Sequence, residues 1–249
     1  MVKKDLLEEI NRKKKVLDFA RPLPPVIVAK LKEYFDVEWT YNSNAIEGNT
    51  LTLQETKVIL EIGVTIGGKT LREHLEVTNH KEAIDFVEKI AEKKTIVTEE
   101  DILNLHRIIL KEIDSKNAGK YRNIQVRISG SNYLPPEAVE VPVKMKELVR
   151  AIEVQELKGE HPIEIASHTH FNLVHIHPFV DGNGRTARLL MNLILIKFGY
   201  PPAVIQNKDR MEYYKFLEKA HEGNIESFDE FISKSVERSL NIYLEAISP

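Results

Sequence analysis

Two apolar segments joined by a short polar loop limit this chain more than anything else in it. Ile163 to Ile176 and Thr186 to Phe198 each have the length of several helical turns and too little polar surface to face water on one side. The residues between them include Pro178, Gly182 and Gly184, which interrupt any continuous helix. A buried helix, loop and helix must therefore form the centre of the fold, with Gly199 and Pro201-Pro202 closing the second helix. The rest of the chain reads as helices meant to cover that pair. An amphipathic run from Lys3 to Phe19 stops at Arg21-Pro22-Leu23-Pro24-Pro25, and Pro25 can open a following helix that ends at Glu47. Capping boxes are expected at Thr52 to Glu55, Thr70 to Glu73 and Ser227 to Glu230, the last opening a helix that runs to Ile247. Three glycines in Ile62 to Lys69 separate two of these helices. The expected class is all-α.

One segment departs from helical spacing. Ile124, Val126 and Ile128 alternate with polar residues, Gly130-Ser131-Asn132 turns the chain, and Tyr133-Leu134-Pro135-Pro136 leads out, so a small β-hairpin is expected between Asn123 and Val141. Two strands are not stable alone, so this hairpin must lean on the helices. At 249 residues, with 42% hydrophobic and 29% charged, the chain has the composition of an ordinary globular protein. It divides most naturally into an N-terminal helical region, 1–95, and a core with C-terminal helices, 96–249, the two packing as one unit. A net charge of −3 gives no reason to expect nucleic acid as a partner. The absence of cysteine excludes disulfides, thiolate catalysis and cysteine-based zinc sites. The opening Met1-Val2-Lys3-Lys4-Asp5 has no apolar leader. The most apolar helical stretch, Leu189 to Phe198, is too short to span a membrane and contains Asn192 and Lys197, so the expected location is cytoplasmic.

The chemistry is concentrated in His177-Pro178-Phe179-Val180-Asp181-Gly182-Asn183-Gly184-Arg185-Thr186-Ala187-Arg188. Gly182 and Gly184 allow backbone N–H groups to converge on an anion at a helix start. Arg185 and Arg188, at i and i+3, lie on neighbouring positions of one helix face and bring positive charge to it. Asp181 is suited to Mg²⁺, which takes one or two carboxylates plus phosphate oxygens. His177 is the group able to remove a proton near neutral pH. His168, His170, His175 and His177 do not make a metal site by spacing, since no two are four apart. Gly182 to Arg188 also lacks the span and the lysine of a P-loop.

These twelve residues resemble the Fic (Fido) family signature HPFx[DE]GNGRxxR at every fixed position. A second segment, Tyr41 to Asn49, resembles the inhibitory motif [ST]xxxE[GN] of Fic proteins with an inhibitory helix N-terminal to the core; Ser43 and Glu47 match it, with Gly48 where that helix should end. The resemblance implies the Fic helical fold with its hairpin as a flap that pairs with an extended segment of a target through Val126, Arg127 and Ile128. It implies transfer of AMP from ATP to a Ser, Thr or Tyr hydroxyl of a protein. His177 would be the base and Asp181 the Mg²⁺ ligand. Gly182, Asn183 and Gly184 would hold the α-phosphate, and Arg185 and Arg188 the outer phosphates. Tyr213, Tyr214 and His221 would lie near the adenine, although a family member has asparagine where His221 stands. Glu47 would pair with Arg188 and hold the enzyme inactive, with a second role in orienting the water that removes AMP from a modified target. Gly184 favours AMP transfer over phosphorylation, because members that phosphorylate depart at this glycine. Transfer of another phosphate-containing group, and a silent nucleotide-binding regulator, remain as alternatives. A homodimer is compatible with the resemblance.

Overall fold

The computed structural model describes residues 4–248, and all of its regular structure there is helical. The helices are Lys4–Phe19 (α1), Pro25–Ile46 (α2), Leu53–Ile62 (α3), Leu71–Lys93 (α4), Glu99–Ile109 (α5), Val141–Leu157 (α6), Pro162–Ile176 (α7), Asn183–Lys197 (α8), Arg210–His221 (α9) and Glu226–Ile247 (α10). Local punctuation sets most of their ends. Thr52 and Thr70 each accept from the N–H three residues on, while Glu55 and Glu73 reach back to the cap N–H, as the sequence predicts. Thr98 and Asp101 make a third such box at the start of α5, which the S/T-x-x-E pattern missed because the acid is aspartate. Pro25 opens α2 at its first position, and Gly48, at φ 98°, turns the chain away after Glu47. Lys3, where the first helix was expected to begin, lies outside the described residues.

The central pair is α7 and α8, and every residue of α8 from Arg185 to Leu195 is buried. An apolar helix of this kind needs neighbours all round. They are α4, α5 and α7, with the C-terminal end of α2 crossing its start, while α6 and α10 back α7 and α1 lies on α10. One apolar core runs from Ile10 on α1 through Leu189, Leu190, Leu193 and Ile194 to Leu240 on α10. At about 1.5–3 kcal/mol for each large aliphatic side chain removed from water, this burial is the main force fixing the position of the α7–α8 loop. The polar Asn192 is tolerated inside because its amide pairs with the Ala203 main chain in both directions, at 3.1 and 2.7 Å.

Three expectations need correction. The hairpin between Asn123 and Val141 is not formed as paired strands: no strand occurs among the described residues, and the segment is an extended loop turning at Ser129-Gly130. Pro135 and Pro136 lack the N–H that a returning strand must donate. Side chains close the loop instead, Gln125 Nε2 donating to the Pro135 carbonyl at 2.9 Å and Arg122 Nη2 to that of Pro136 at 2.6 Å. Ser227 does not cap α10, which begins at Glu226; buried Phe228 and Asp229, with Asp229 accepting from Ser167 Oγ at 2.7 Å, fix that first turn against α7. Finally, α8 starts at Asn183, three residues before Thr186, so the glycine loop runs directly into helix.

Candidate active site

The loop between α7 and α8 is braced from below by residues distant in sequence. His177 ends α7 in the left-handed region, at φ 49°, with its N–H on the Leu173 carbonyl at 2.9 Å. Phe179 is buried and stacks on His106 of α5, ring centroids 3.6 Å apart. Gly119 N–H donates to His106 Nδ1 at 3.0 Å, so Nε2 carries the proton and donates to the Asp181 carbonyl at 2.9 Å. Burial pushes the His106 pKa down to about 4 and keeps the ring in that neutral form. Arg122, also buried, donates to the carbonyl of His177 at 2.8 Å while holding that of Pro136, and thereby couples the extended 123–137 loop to the turn at the end of α7. Asn183 uses its whole amide on Phe179, accepting from its N–H and donating to its carbonyl, each at 2.9 Å. Its side chain is thus a brace of the loop, and what it could offer a ligand is its main-chain N–H at the start of α8.

The charged residues fall into two groups. Asp181 accepts from Gly182 N–H at 2.6 Å and from Arg72 Nη2 of α4 at 2.7 Å, with Arg185 Nη2 at 3.5 Å. Burial opposes its charge, but Arg185, the Gly182 N–H and Arg72 together hold its pKa below the usual carboxylate value. Arg185 is buried between Asp181 and Glu76, so it does not face the open cleft as expected. Arg188 is 2% exposed and fully engaged: Nε donates to Ser43 Oγ at 3.0 Å, Nη2 to the Ser43 carbonyl at 2.8 Å and to Glu47 Oε1 at 2.7 Å. Burial opposes this cation too, yet Glu47 raises its pKa above the ordinary arginine value. A Cβ placed on Gly184 would overlap Glu47 Oε1 and lie 3.1 Å from Arg188 Nη1, so glycine is what lets the carboxylate lie across the start of α8.

Above this floor lies an open cleft of about 650 Å³, a volume suited to a nucleotide-sized ligand. It gathers His177, Asp181, Gly182, Asn183, Gly184 and Glu47 at one end and Tyr213, Tyr214 and His221 along α9, with Arg127 and Ile128 at its rim. Val126, expected with them, does not line it. Burial pushes the His177 pKa down to about 4; the Val174 carbonyl pulls the other way without a well-aligned bond to Nδ1. His177 is therefore neutral at pH 7 and able to accept a proton. Tyr213 Oη lies 3.1 Å from His170 Nε2 and 3.4 Å from Arg188 Nη1, and Tyr214 Oη donates to the Ile46 carbonyl at 3.1 Å, clasping the end of α2. His221 stacks on Tyr133 and lies 3.1 Å from His175, Nδ1 to Nδ1. Arg72, Arg122 and the Tyr133–His175 contact were not found from sequence, since nothing local marks a side chain that acts across the fold.

Asp181 also fits a magnesium ion in its donor chemistry. It is a half-exposed carboxylate on the cleft beside an anion-ready helix start, and Mg²⁺ needs little more from protein when phosphates supply the other oxygens. Among the described residues no group of three His, Asp, Glu or Cys side chains could hold a metal unaided. Among them, too, no helix is long and apolar enough to cross a membrane.

Fold and site together define an all-helical domain built around a glycine loop and a helix start beside a neutral histidine. Residues 96–195 match the pattern of the Fic/DOC family. A Fic domain containing signaling protein from Bacteroides thetaiotaomicron superposes with a TM-score of 0.88 at 32% identity, over 97% of each chain. Fic-1 from C. elegans gives a TM-score of 0.89 at 32% identity, covering 98% of this chain and 72% of that one. The chain belongs to the Fic family. It is also 40% identical over 220 residues to the protein adenylyltransferase Fic of Drosophila persimilis, a match covering 88% of this chain and 42% of that protein.

Proposed function

We propose that this chain is an autoinhibited protein adenylyltransferase that transfers AMP from ATP to a hydroxyl side chain of a protein. The observation that carries this reading is the joint placement of His177, Asp181 and the start of α8 on one cleft, with Glu47 on the Arg188 guanidinium beside them. The relatives named protein adenylyltransferase support the reaction class.

In the reaction, the target hydroxyl oxygen bonds to the α-phosphorus while the bond to the bridging oxygen breaks and pyrophosphate leaves. His177, neutral at pH 7, takes the hydroxyl proton. Main-chain N–H groups of Asn183 and Gly184, at the start of α8, hold the α-phosphate and stabilise its developing charge. Asp181 would hold Mg²⁺, which when bound neutralises the phosphate chain and fixes its orientation. Arg188 is the cation for an outer phosphate, and Glu47 competes for it through the 2.7 Å pair. With Arg188 occupied, ATP enters with its α-phosphate out of line, and misalignment alone slows transfer strongly. Arg127 and Ile128, at the rim, are where an extended segment of the target would lie against the 123–137 loop. Removal of AMP from a modified target, with Glu47 orienting the water, is the companion reaction assigned to the same carboxylate.

The test is a transfer assay with Mg²⁺ and cell extract, using ATP labelled at the α- or the γ-phosphate. α-Label on protein, raised in Glu47→Gly and absent in His177→Ala, is the expected result. Transfer of γ-label would make the protein a kinase, and no label from any variant would make it a nucleotide-binding regulator.

A further inference from the structure

Four side chains of alternating charge close a ring beside the loop. Arg72 Nε donates to Glu76 Oε1 at 3.1 Å, one turn along α4, and Arg72 Nη2 donates to Asp181 Oδ2 at 2.7 Å. Asp181 Oδ1 lies 3.5 Å from Arg185 Nη2, and Arg185 Nη1 returns to Glu76 Oε1 at 3.5 Å. The two inner members, Glu76 and Arg185, are shielded from solvent, keeping 13% and 3% of their side-chain exposure, and Glu76 Oε2 accepts from Asn49 Nδ2 at 2.9 Å. The two outer members are not. Arg72 and Asp181 keep 58% and 46% of their side-chain exposure.

We infer that Arg72 is a tethered cation that holds Asp181 in competition with the divalent ion that enters with the nucleotide. The inference rests on the reading of Asp181 as that ion's protein ligand. Oδ1 is already engaged by the Gly182 N–H at 2.6 Å, so Oδ2 is the oxygen left for an incoming cation, and Arg72 occupies it with the shortest contact in the ring. Glu76 aims the guanidinium by taking Nε, which turns Nη2 toward Asp181. Because the pair is half exposed, Arg72 can swing into solvent without stranding a buried charge, as a displaceable occupant must. Asn49 lies two residues beyond Glu47, so one short segment both occupies Arg188 and supports the side chain that aims Arg72 at Asp181. Autoinhibition then acts on the outer-phosphate cation and on the metal carboxylate through neighbouring residues.

The experiment measures affinity for α,β-methylene-ATP by calorimetry in Mg²⁺ and in EDTA, and takes the ratio of the two dissociation constants as the gain from the metal. Arg72→Gln should raise that gain about two- to fivefold at low salt, the size expected for losing competition from a half-exposed ion pair. The difference should shrink at high ionic strength. Using the ratio removes any direct contact of Arg72 with phosphate, which would alter both affinities alike. An unchanged or smaller gain in Arg72→Gln, with the gain abolished in Asp181→Asn, overturns the competition and leaves Asp181 as the metal ligand. A gain retained in Asp181→Asn overturns both.

Discussion

Replacing Glu47 with glycine should make this protein less stable and more active at once. The carboxylate donates nothing and accepts from Arg188 Nη2 at 2.7 Å, while Arg188 keeps Ser43 Oγ, the Ser43 carbonyl and the Tyr213 hydroxyl. Glu47 is 36% exposed at its side chain and Arg188 only 2%, so the pair falls between a surface pair, worth up to about 1 kcal/mol, and a buried one, whose breaking costs about 3–5 kcal/mol. A loss of about 1–2 kcal/mol is expected, lowering the melting temperature by roughly 2–8 °C for a domain of this size. The same bond must be given up before an outer phosphate can take Arg188. A charge-assisted hydrogen bond worth about 1.5–3 kcal/mol then corresponds to a rise in transfer rate of about 10- to 100-fold. The assay pairs α-label transfer with thermal melting, with and without ATP, on wild type, Glu47→Gly and the charge-neutral Glu47→Gln. ATP should restore more stability to Glu47→Gly than to wild type, because the freed guanidinium is available to it. A drop in melting temperature with no rise in rate would refute the reasoning and leave Glu47 as a helix-end brace.

Three more predictions come from the loop and its histidines. The His106 pKa falls from 6.5 to about 4 on folding, so above pH 6.5 the ring is neutral in both states, and stability is lost as pH falls from 6.5 to 4 while only the unfolded chain takes up the proton. For this buried ring the loss reaches about 3 kcal/mol, so the melting temperature of wild type should fall more steeply over that window than that of His106→Asn; equal slopes would contradict the assignment. His177 shifts in the same direction, so the transfer rate should not fall on its account between pH 8 and 6, whereas the pKa of His168, raised by its bond to Asp229, opposes part of the stability loss. Asn183→Ala strands the buried N–H and carbonyl of Phe179 and should cost about 2–3 kcal/mol, or roughly 4–12 °C in melting temperature. An unchanged melting temperature with lost nucleotide binding would mean that the amide acts on the ligand and not on the loop.

How much was legible from sequence follows from how local each signal is. Helix ends were read well where a cap and its partner lie three residues apart, as at Thr52 and Thr70, or where Pro25 fixes φ at a first turn. The exception at Ser227 has the right letters, yet α10 begins one residue earlier because buried Phe228 and Asp229 outrank a solvent-side cap. The hairpin failed for a reason written in the chain, the paired prolines at 135 and 136, but hydrophobic alternation in Ile124 to Ile128 masked it. The site was legible where its residues are contiguous, from His177 to Gly184, and at Glu47, whose position at the end of α2 follows from Gly48. His106 and Arg122 brace that loop from 73 and 55 residues away from the nearest part of it they serve, and no spacing rule reaches so far.

By itself, the sequence determined most of the helices, the glycine loop entering α8, a carboxylate at the end of one helix and two arginines in the first turns of another. Only the tertiary structure decided which way those arginines point. Arg185 and Arg188 start from neighbouring positions of one helix, yet Arg185 lies against Glu76 and Asp181 beneath the loop while Arg188 is drawn to Ser43, Glu47 and Tyr213 beside the cleft. Backbone periodicity fixes only where a long side chain begins. Where its charge comes to rest depends on the partners that α2 and α4 bring to α8, and that pairing exists only once the helices have packed.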